Sequence, residues 1–201
     1  MTFAQVIRLT HGEQALIERC LRNDTAAFDE VVGRYKTRVY NYIFRMIGDE
    51  HEADDLTQEV FVRMYTSLPR FRNQSTLNTW LFRIASNLCI DRFRRNKKHQ
   101  AIAFSLDEIG DNSDTAQRDV PDTRFEPHQV AEQFEISAKI EEAILALPEK
   151  LRAVALLYDI EGLPYEEIAR IVGCPLGTVK SRLFNARARL RERLTPYLRN
   201  G

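Results

Sequence analysis

"GCPLGTVKSRLFNARARL", Gly173–Leu190, is the stretch that decides the fold. Gly173 supplies a residue able to enter the left-handed conformation that ends a helix. Pro175 cannot continue the helix before it. Gly177 and Thr178 then start a new one, with either placed to cap it. Val179, Leu183, Ala186 and Leu190 step by four, three and four, which predicts a core-facing stripe. Upstream, "YEEIARIV" predicts a short helix over Tyr165–Val172 that buries Ile168, Ala169 and Val172. Pro164 stands where a Ser or Thr cap would help, but Glu166 and Glu167 favour the positive helix end, so the helix is expected to form. Short helix, tight turn and second helix have the spacing of a helix-turn-helix.

The predicted second helix leaves Lys180, Ser181, Phe184, Asn185 and Arg187 off its apolar stripe. A solvated basic face is the plain reading of that set. The chemistry also suits a DNA groove. Lys or Arg donates to guanine edges, Asn pairs with adenine, and Phe meets a thymine methyl. The preceding helix, the Gly-Cys-Pro turn and an exposed Phe184 favour DNA contact. Cys174 reads as a small turn or core residue.

The whole chain has 201 residues, with 29 Lys and Arg against 29 Asp and Glu. Zero net charge hides segregation. Residues 48–60 hold six acids and no Lys or Arg, and residues 83–98 hold six basic residues against Asp91. Residues 105–135 hold nine acids against Arg118 and Arg124. Cys20, Cys89 and Cys174 are scattered, so neither a disulfide framework nor a zinc site is expected. No apolar run reaches the roughly 20 residues of a membrane span, and the N-terminus lacks a signal-peptide pattern. A soluble cytoplasmic protein is expected.

Working towards the N-terminus, helical periods dominate. "QALIERCLRN" and "AAFDEVVGRYKTRVYNYIFRMIG" are predicted helices, with Asp24-Thr25 a cap between them. Asp49 and Glu52 begin another in capping-box fashion, ending near Leu68. "LPRFRNQSTLN" reads as a loop, and a further helix starts near Thr79 and runs through Arg95. Residues 96–127 are largely acidic, contain Gly110, Pro121 and Pro127, and show no sustained period, so they read as a linker. Pro148 is placed at the first position of a helix beyond it. No strand pattern competes. The expected fold is all-α: two small helical domains, residues 1–95 and 131–201, joined by a flexible acidic linker, 96–130.

Two N-terminal features add chemistry. In "DEHEADDLTQEVFVRMYTSL", Asp54, Asp55, Gln58 and Glu59 crowd one side of a predicted helix. A solvated acidic face is the plain reading, but Phe61 beside it suits an interface. "RFRNQSTLNTWLFRIASNLCIDRFRR" mixes aromatics with amides, hydroxyls and arginines. That mixture serves single-stranded nucleic acid: aromatics stack on bases, amides read edges, and arginines hold phosphates. Trp80 is the aromatic expected to belong to the core and to brace the loop.

Taken together, "DDLTQEVFVRMYTSLPRFR…STLNTWLFRIASNLCIDRFRR" resembles region two of bacterial sigma factors, and "LPEKLRAVALLYDIEGLPYEEIARIVGCPLGTVKSRLFNARARL" resembles region four. The short form with only a linker between them is similar to the extracytoplasmic-function group. The resemblance implies a non-catalytic transcription factor without cofactor. Asp54, Asp55, Gln58, Glu59 and Phe61 would dock the clamp helices of the largest polymerase subunit, and the flap would be a second polymerase contact. Phe71, Arg72, Asn73, Gln74, Ser75, Thr76, Asn78, Trp80, Arg83 and Asn87 would capture a flipped base of the −10 element and hold the separated strand. Lys180, Ser181, Phe184, Asn185 and Arg187 would read the −35 duplex, with Tyr165 and Thr178 on phosphates. Asn185 departs from the family's frequent basic residue. An anti-sigma factor, often membrane-anchored, is the implied regulator.

A helix-turn-helix repressor shares the second motif but lacks the Phe71–Arg95 block. An enzyme ranks below both. The four histidines, His11, His51, His99 and His128, are scattered, and no nucleophile–base pair or phosphate loop appears.

Overall fold

The computed structural model describes residues 11–71, 75–106 and 127–198, and all regular structure among them is helical. The first unit holds α1 (His11–Leu21), α2 (Thr25–Ile47), α3 (Glu50–Ser67) and α4 (Leu77–Leu106). A single 3-10 turn, Leu68–Arg70, leads from α3 into the loop before α4.

Side-chain caps set the joints. The Asp24 carboxylate accepts from the Ala27 amide at 3.2 Å and opens α2. Gly48, at φ 84°, closes α2 by donating to the Phe44 carbonyl at 2.7 Å. Asp49 caps α3 through the Glu52 amide at 2.8 Å. Each cap satisfies amides or carbonyls that a helix end leaves open. Both cap positions expected at Asp24 and Asp49 are therefore present.

Val31, Val39, Tyr42, Ile43 and Met46 of α2 are buried against Ala53, Val60 and Met64 of α3. Leu77, Leu81, Phe82, Ala85 and Leu88 of α4 complete that core. The Tyr42 hydroxyl lies 2.7 Å from that of Ser86, so these two buried hydroxyls satisfy each other.

The second unit holds α5 (Pro127–Leu145), α6 (Glu149–Ala155), α7 (Tyr165–Val172) and α8 (Leu176–Leu198). α6 continues into a wider π-helical turn over Leu156–Ile160, closed by the Glu161 amide on the Leu156 carbonyl at 3.0 Å. α7 survives its Pro164 start and ends at Gly173, φ 62°. On α8, Val179, Leu183 and Ala186 are buried and Leu190 is half-buried, as the stripe predicts.

The two units share one continuous buried cluster, running from Phe82 and Leu88 into Val154, Leu157, Ile168 and Ile171. α7 packs on α4, and α5 and α6 meet α2.

Several expectations need correction. α4 begins at Leu77, not Thr79, because the Thr76 hydroxyl accepts from the Thr79 amide at 3.1 Å and serves as the cap. It runs to Leu106, and α5 starts at Pro127, so helix occupies both ends of the segment read as linker. The polar composition there gives no core-facing stripe to announce a helix. The middle of that segment, 107–126, lies outside the described residues. Pro148 is the cap residue of α6 at ψ 139°, one position before the helix proper. Within α7 the buried pair is Ile168 and Ile171, with Ala169 and Val172 half-buried.

Candidate nucleic-acid and polymerase interfaces

The recognition helix candidate is α8. Lys180, Ser181, Asn185 and Arg187 are exposed, and Phe184 is 75% exposed, the most exposed large apolar side chain among the described residues. Thr178 is half-buried at the first turn, where its carbonyl accepts from the Ser181 hydroxyl at 3.1 Å.

Beside this face lies an arrangement that the sequence reading missed. Tyr158 stacks on Tyr165 with centroids 4.7 Å apart and planes within 10°. The Arg187 guanidinium lies 5.1 Å from the Tyr158 ring centre and the Lys180 ammonium 5.8 Å from that of Tyr165. Arg187 also forms a forked pair with the Asp159 carboxylate through Nε and Nη2. The Tyr158 hydrogen bond, then partial desolvation, holds the Tyr165 phenol above its ordinary range, and hydrogen bonding to Asp159 does the same for Arg187. These partners are 28 residues apart along the chain, so no local spacing announces them.

The loop before α4 is built differently from expectation. Phe71 and Trp80 rings pack at 4.5 Å and 30°, both half-buried. The fully buried aromatic is Phe82, edge-on to Tyr42 at 5.3 Å, whereas Trp80 is only half-buried. Trp80 thus braces the loop as expected, while the deepest core position falls to Phe82, which Arg38 covers from outside at 5.5 Å. Ser75, Thr76 and Asn78 are half-buried. The Thr76 hydroxyl is committed to capping, and that of the buried Thr79 donates to Glu167 of α7. The Asn78 Oδ1 is buried without a partner. Arg83 and Asn87, one turn apart on α4, are exposed. Arg72, Asn73 and Gln74 lie outside the described residues.

On α3, Asp54, Asp55 and Gln58 are exposed, and Glu59 pairs with Arg63 at 2.7 Å. Phe61 is not part of that surface. It is 7% exposed and packs inward, because its position on α3 belongs to the Ala53–Val60–Met64 side. With Phe28, Val62 and Tyr65 it lines a groove of about 400 Å³. Among the described residues no cluster of His, Cys, Asp and Glu has metal-holding geometry. No helix among them is long and apolar enough to cross a membrane.

Residues 31–99 match the model of sigma-70 region 2, and residues 137–190 match that of sigma-70 region 4. The RNA polymerase sigma-H factor of Pseudomonas aeruginosa is 37% identical over 93% of this chain and 96% of its own length. Relatives 35% identical to it are designated ECF RNA polymerase sigma factors. This chain belongs to these extracytoplasmic-function sigma factors. The sigma factor SigW of Bacillus subtilis is 35% identical over 89% of the chain and 94% of that relative. The sigma-E factor of Haemophilus influenzae is also 35% identical, over 92% and 97%. Among solved structures, the sigma factor RpoE bound to the anti-sigma factor NepR from Bartonella quintana aligns with TM-score 0.63 at 23% identity. That alignment spans 84% of this chain and 96% of RpoE. CnrH, bound to the cytosolic domain of CnrY, aligns with TM-score 0.67 at 22% identity over 92% and 99%. Those likenesses establish the fold. As a sigma factor the chain is not an enzyme: it binds core RNA polymerase and promoter DNA to begin transcription.

Proposed function

We propose that this sigma factor presents two separate promoter readers and one polymerase-docking surface. α8 reads the −35 duplex through Lys180, Ser181, Phe184, Asn185 and Arg187, with Tyr165 and Thr178 against the flanking phosphates. The loop from Phe71 to Asn78, with Trp80, Arg83 and Asn87 on α4, holds the separated −10 strand. Asp54, Asp55, Gln58 and Glu59 on α3 dock the polymerase clamp, and Phe61 supports that helix from beneath. The exposed Phe184 on a basic, otherwise polar helix face is the observation that carries the reading. An aromatic ring exposed among cationic and amide side chains offers an apolar contact for a thymine methyl.

Each reader by itself binds weakly, and polymerase makes the pair specific by fixing their separation. Holding a flipped base in a pocket offsets part of the cost of strand separation. The chain acts in the cytoplasm, where polymerase and promoters are. RpoE and CnrH are each captured with a regulatory protein, NepR or the cytosolic domain of CnrY. An anti-sigma factor, anchored in the membrane, fits the same fold here. The test is capture of core RNA polymerase by the purified chain, followed by transcription from promoter fragments. Transcripts that need both the chain and a fixed −35 to −10 spacing support the proposal. Transcription indifferent to that spacing overturns it.

A further inference from the structure

We propose that Asp159 and Tyr158 are positioning residues that make Arg187 a fixed, forked hydrogen-bond donor to DNA. The inference rests on α8 being the duplex-reading helix.

Arg187 lies on the fourth turn of α8 with its side chain 50% exposed. A free arginine at such a place samples many rotamers and loses that freedom on binding. Here three contacts have already removed it. The Asp159 carboxylate accepts a hydrogen bond from Nε–H at 3.4 Å and a second from Nη2. The Tyr158 ring lies beneath the guanidinium plane at 5.1 Å. Tyr158 is itself fixed by stacking on Tyr165. The π-helical turn over Leu156–Ile160 places Tyr158 and Asp159 together on the α8 side, a use typical of such local widening at functional sites.

Asp159 occupies the Nε–Nη2 edge of the guanidinium. The remaining Nη1–Nη2 end is the one that donates two parallel bonds. It matches two acceptors side by side: the O6 and N7 of a guanine, or two oxygens of one phosphate. Lys180 lies seven residues earlier, two helical turns, and so shares this face. Its ammonium rests over Tyr165, so one aromatic pair underlies both cations.

The sign of one substitution separates this role from simple charge masking. An acid beside a DNA-binding face repels phosphates, so Asp159→Asn strengthens binding if the carboxylate does nothing else. If Asp159 aims Arg187, the same substitution weakens binding.

The measurement uses the full chain and two probes. One is a duplex that the wild-type chain enriches from a randomised pool; the other is an unselected random duplex. D159N is expected to weaken binding to the enriched duplex roughly fivefold, the order of one ordinary hydrogen bond's net contribution. In an R187Q background D159N is expected to cause no weakening. Tyr158→Leu is expected to act in the same direction as D159N, with circular dichroism confirming retained helix content. A guanine target confines the loss to the enriched duplex and erases one guanine from the selected motif. A phosphate target weakens both duplexes alike and lowers the salt slope by about one. D159N that tightens both duplexes, or that weakens binding equally with and without Arg187, overturns the assignment. Failure of the wild-type chain to enrich any motif overturns the duplex-reading role of α8, and with it this inference.

Discussion

Arg152 is a buried charged side chain that links the second unit to the first. It is 8% exposed and donates to the carbonyls of Leu145, Leu147 and Met46, so it ties the end of α5 to the end of α2. Burial pushes its pKa down, against the nearby Glu149. Arg152→Ala leaves three carbonyls short of a donor and is expected to cost about 2–4 kcal/mol, read from urea unfolding. Arg152→Lys is expected to recover less than half, since one ammonium cannot span the same three acceptors. Nothing in "EKLRAV" announces this role, because the acceptors come from elsewhere in the chain and carry no side-chain signature. Cys89 on α4 shows the opposite case, a residue legible as ordinary core. Burial pushes its thiol up to about 12. The thiolate is therefore unfavourable in the folded chain, and alkylation at mildly alkaline pH is expected to mark the half-exposed Cys174 while sparing Cys89. The linkage sign follows: this contribution to stability is complete below the ordinary thiol range and declines as pH rises towards about 12. Rapid labelling of Cys89 in the native protein at pH 8 contradicts the burial.

Among the elements, α3 and α8 were readable because each pairs one apolar stripe with one chemically distinct face. The stripe Val179–Leu183–Ala186 is found where the spacing puts it, and the acids Asp54 and Asp55 are exposed as the same argument requires. Aromatics were harder. Phe61, Trp80 and Phe82 all fit either a core or an interface by composition, and only packing assigns Phe82 and Phe61 inward with Trp80 between. The start of α4 was missed because two threonines three residues apart, Thr76 and Thr79, look alike in sequence, and the hydroxyl of the first caps the second. The α3 surface carries a direct prediction. Asp55→Lys is expected to reduce capture of core RNA polymerase at least tenfold while leaving affinity for the enriched −35 duplex unchanged, measured on the same preparation. The site is exposed, so folding is not at risk. Parallel loss of both activities contradicts a docking role for α3. For α8, Phe184→Ala is expected to weaken the enriched duplex several-fold with no loss of thermal stability, since its ring contributes little to the folded core.

For the whole molecule, the seam between the two units decides what the free chain exposes. Arg38 of α2 donates to Glu161 at 3.0 and 2.7 Å, and the Glu161 side chain is 6% exposed. Glu167 of α7 is 7% exposed and accepts from Thr79. Lys97 meets Glu149 at 2.9 Å. These partners stand more than 50 positions apart along the chain, so periodicity and capping, which are local, could not foretell the seam. Its chemistry is half-polar: buried carboxylates gain partners but lose hydration, which makes such a contact easier to open than an apolar one. It also buries Thr79, the neighbour of Asn78 in the proposed −10 reader; the Asn78 Oδ1 itself has no hydrogen-bond partner. The closed seam therefore lies directly beside the proposed single-strand reader, whereas the proposed duplex-reading face of α8 is exposed. Arg38→Glu sets two carboxylates against each other and is expected to expand the free chain in small-angle scattering and to raise its affinity for single-stranded oligonucleotides severalfold. Affinity for the enriched −35 duplex should not change. The exchange R38E/E161R restores an opposite-charge pair and is expected to return both quantities towards those of the wild-type chain. An expansion that the exchange leaves uncorrected points to damage within α2, whose Arg38 also lies over Phe82. Unchanged dimensions in R38E mean that the apolar cluster joining α4 to α7 closes the seam without the ion pair.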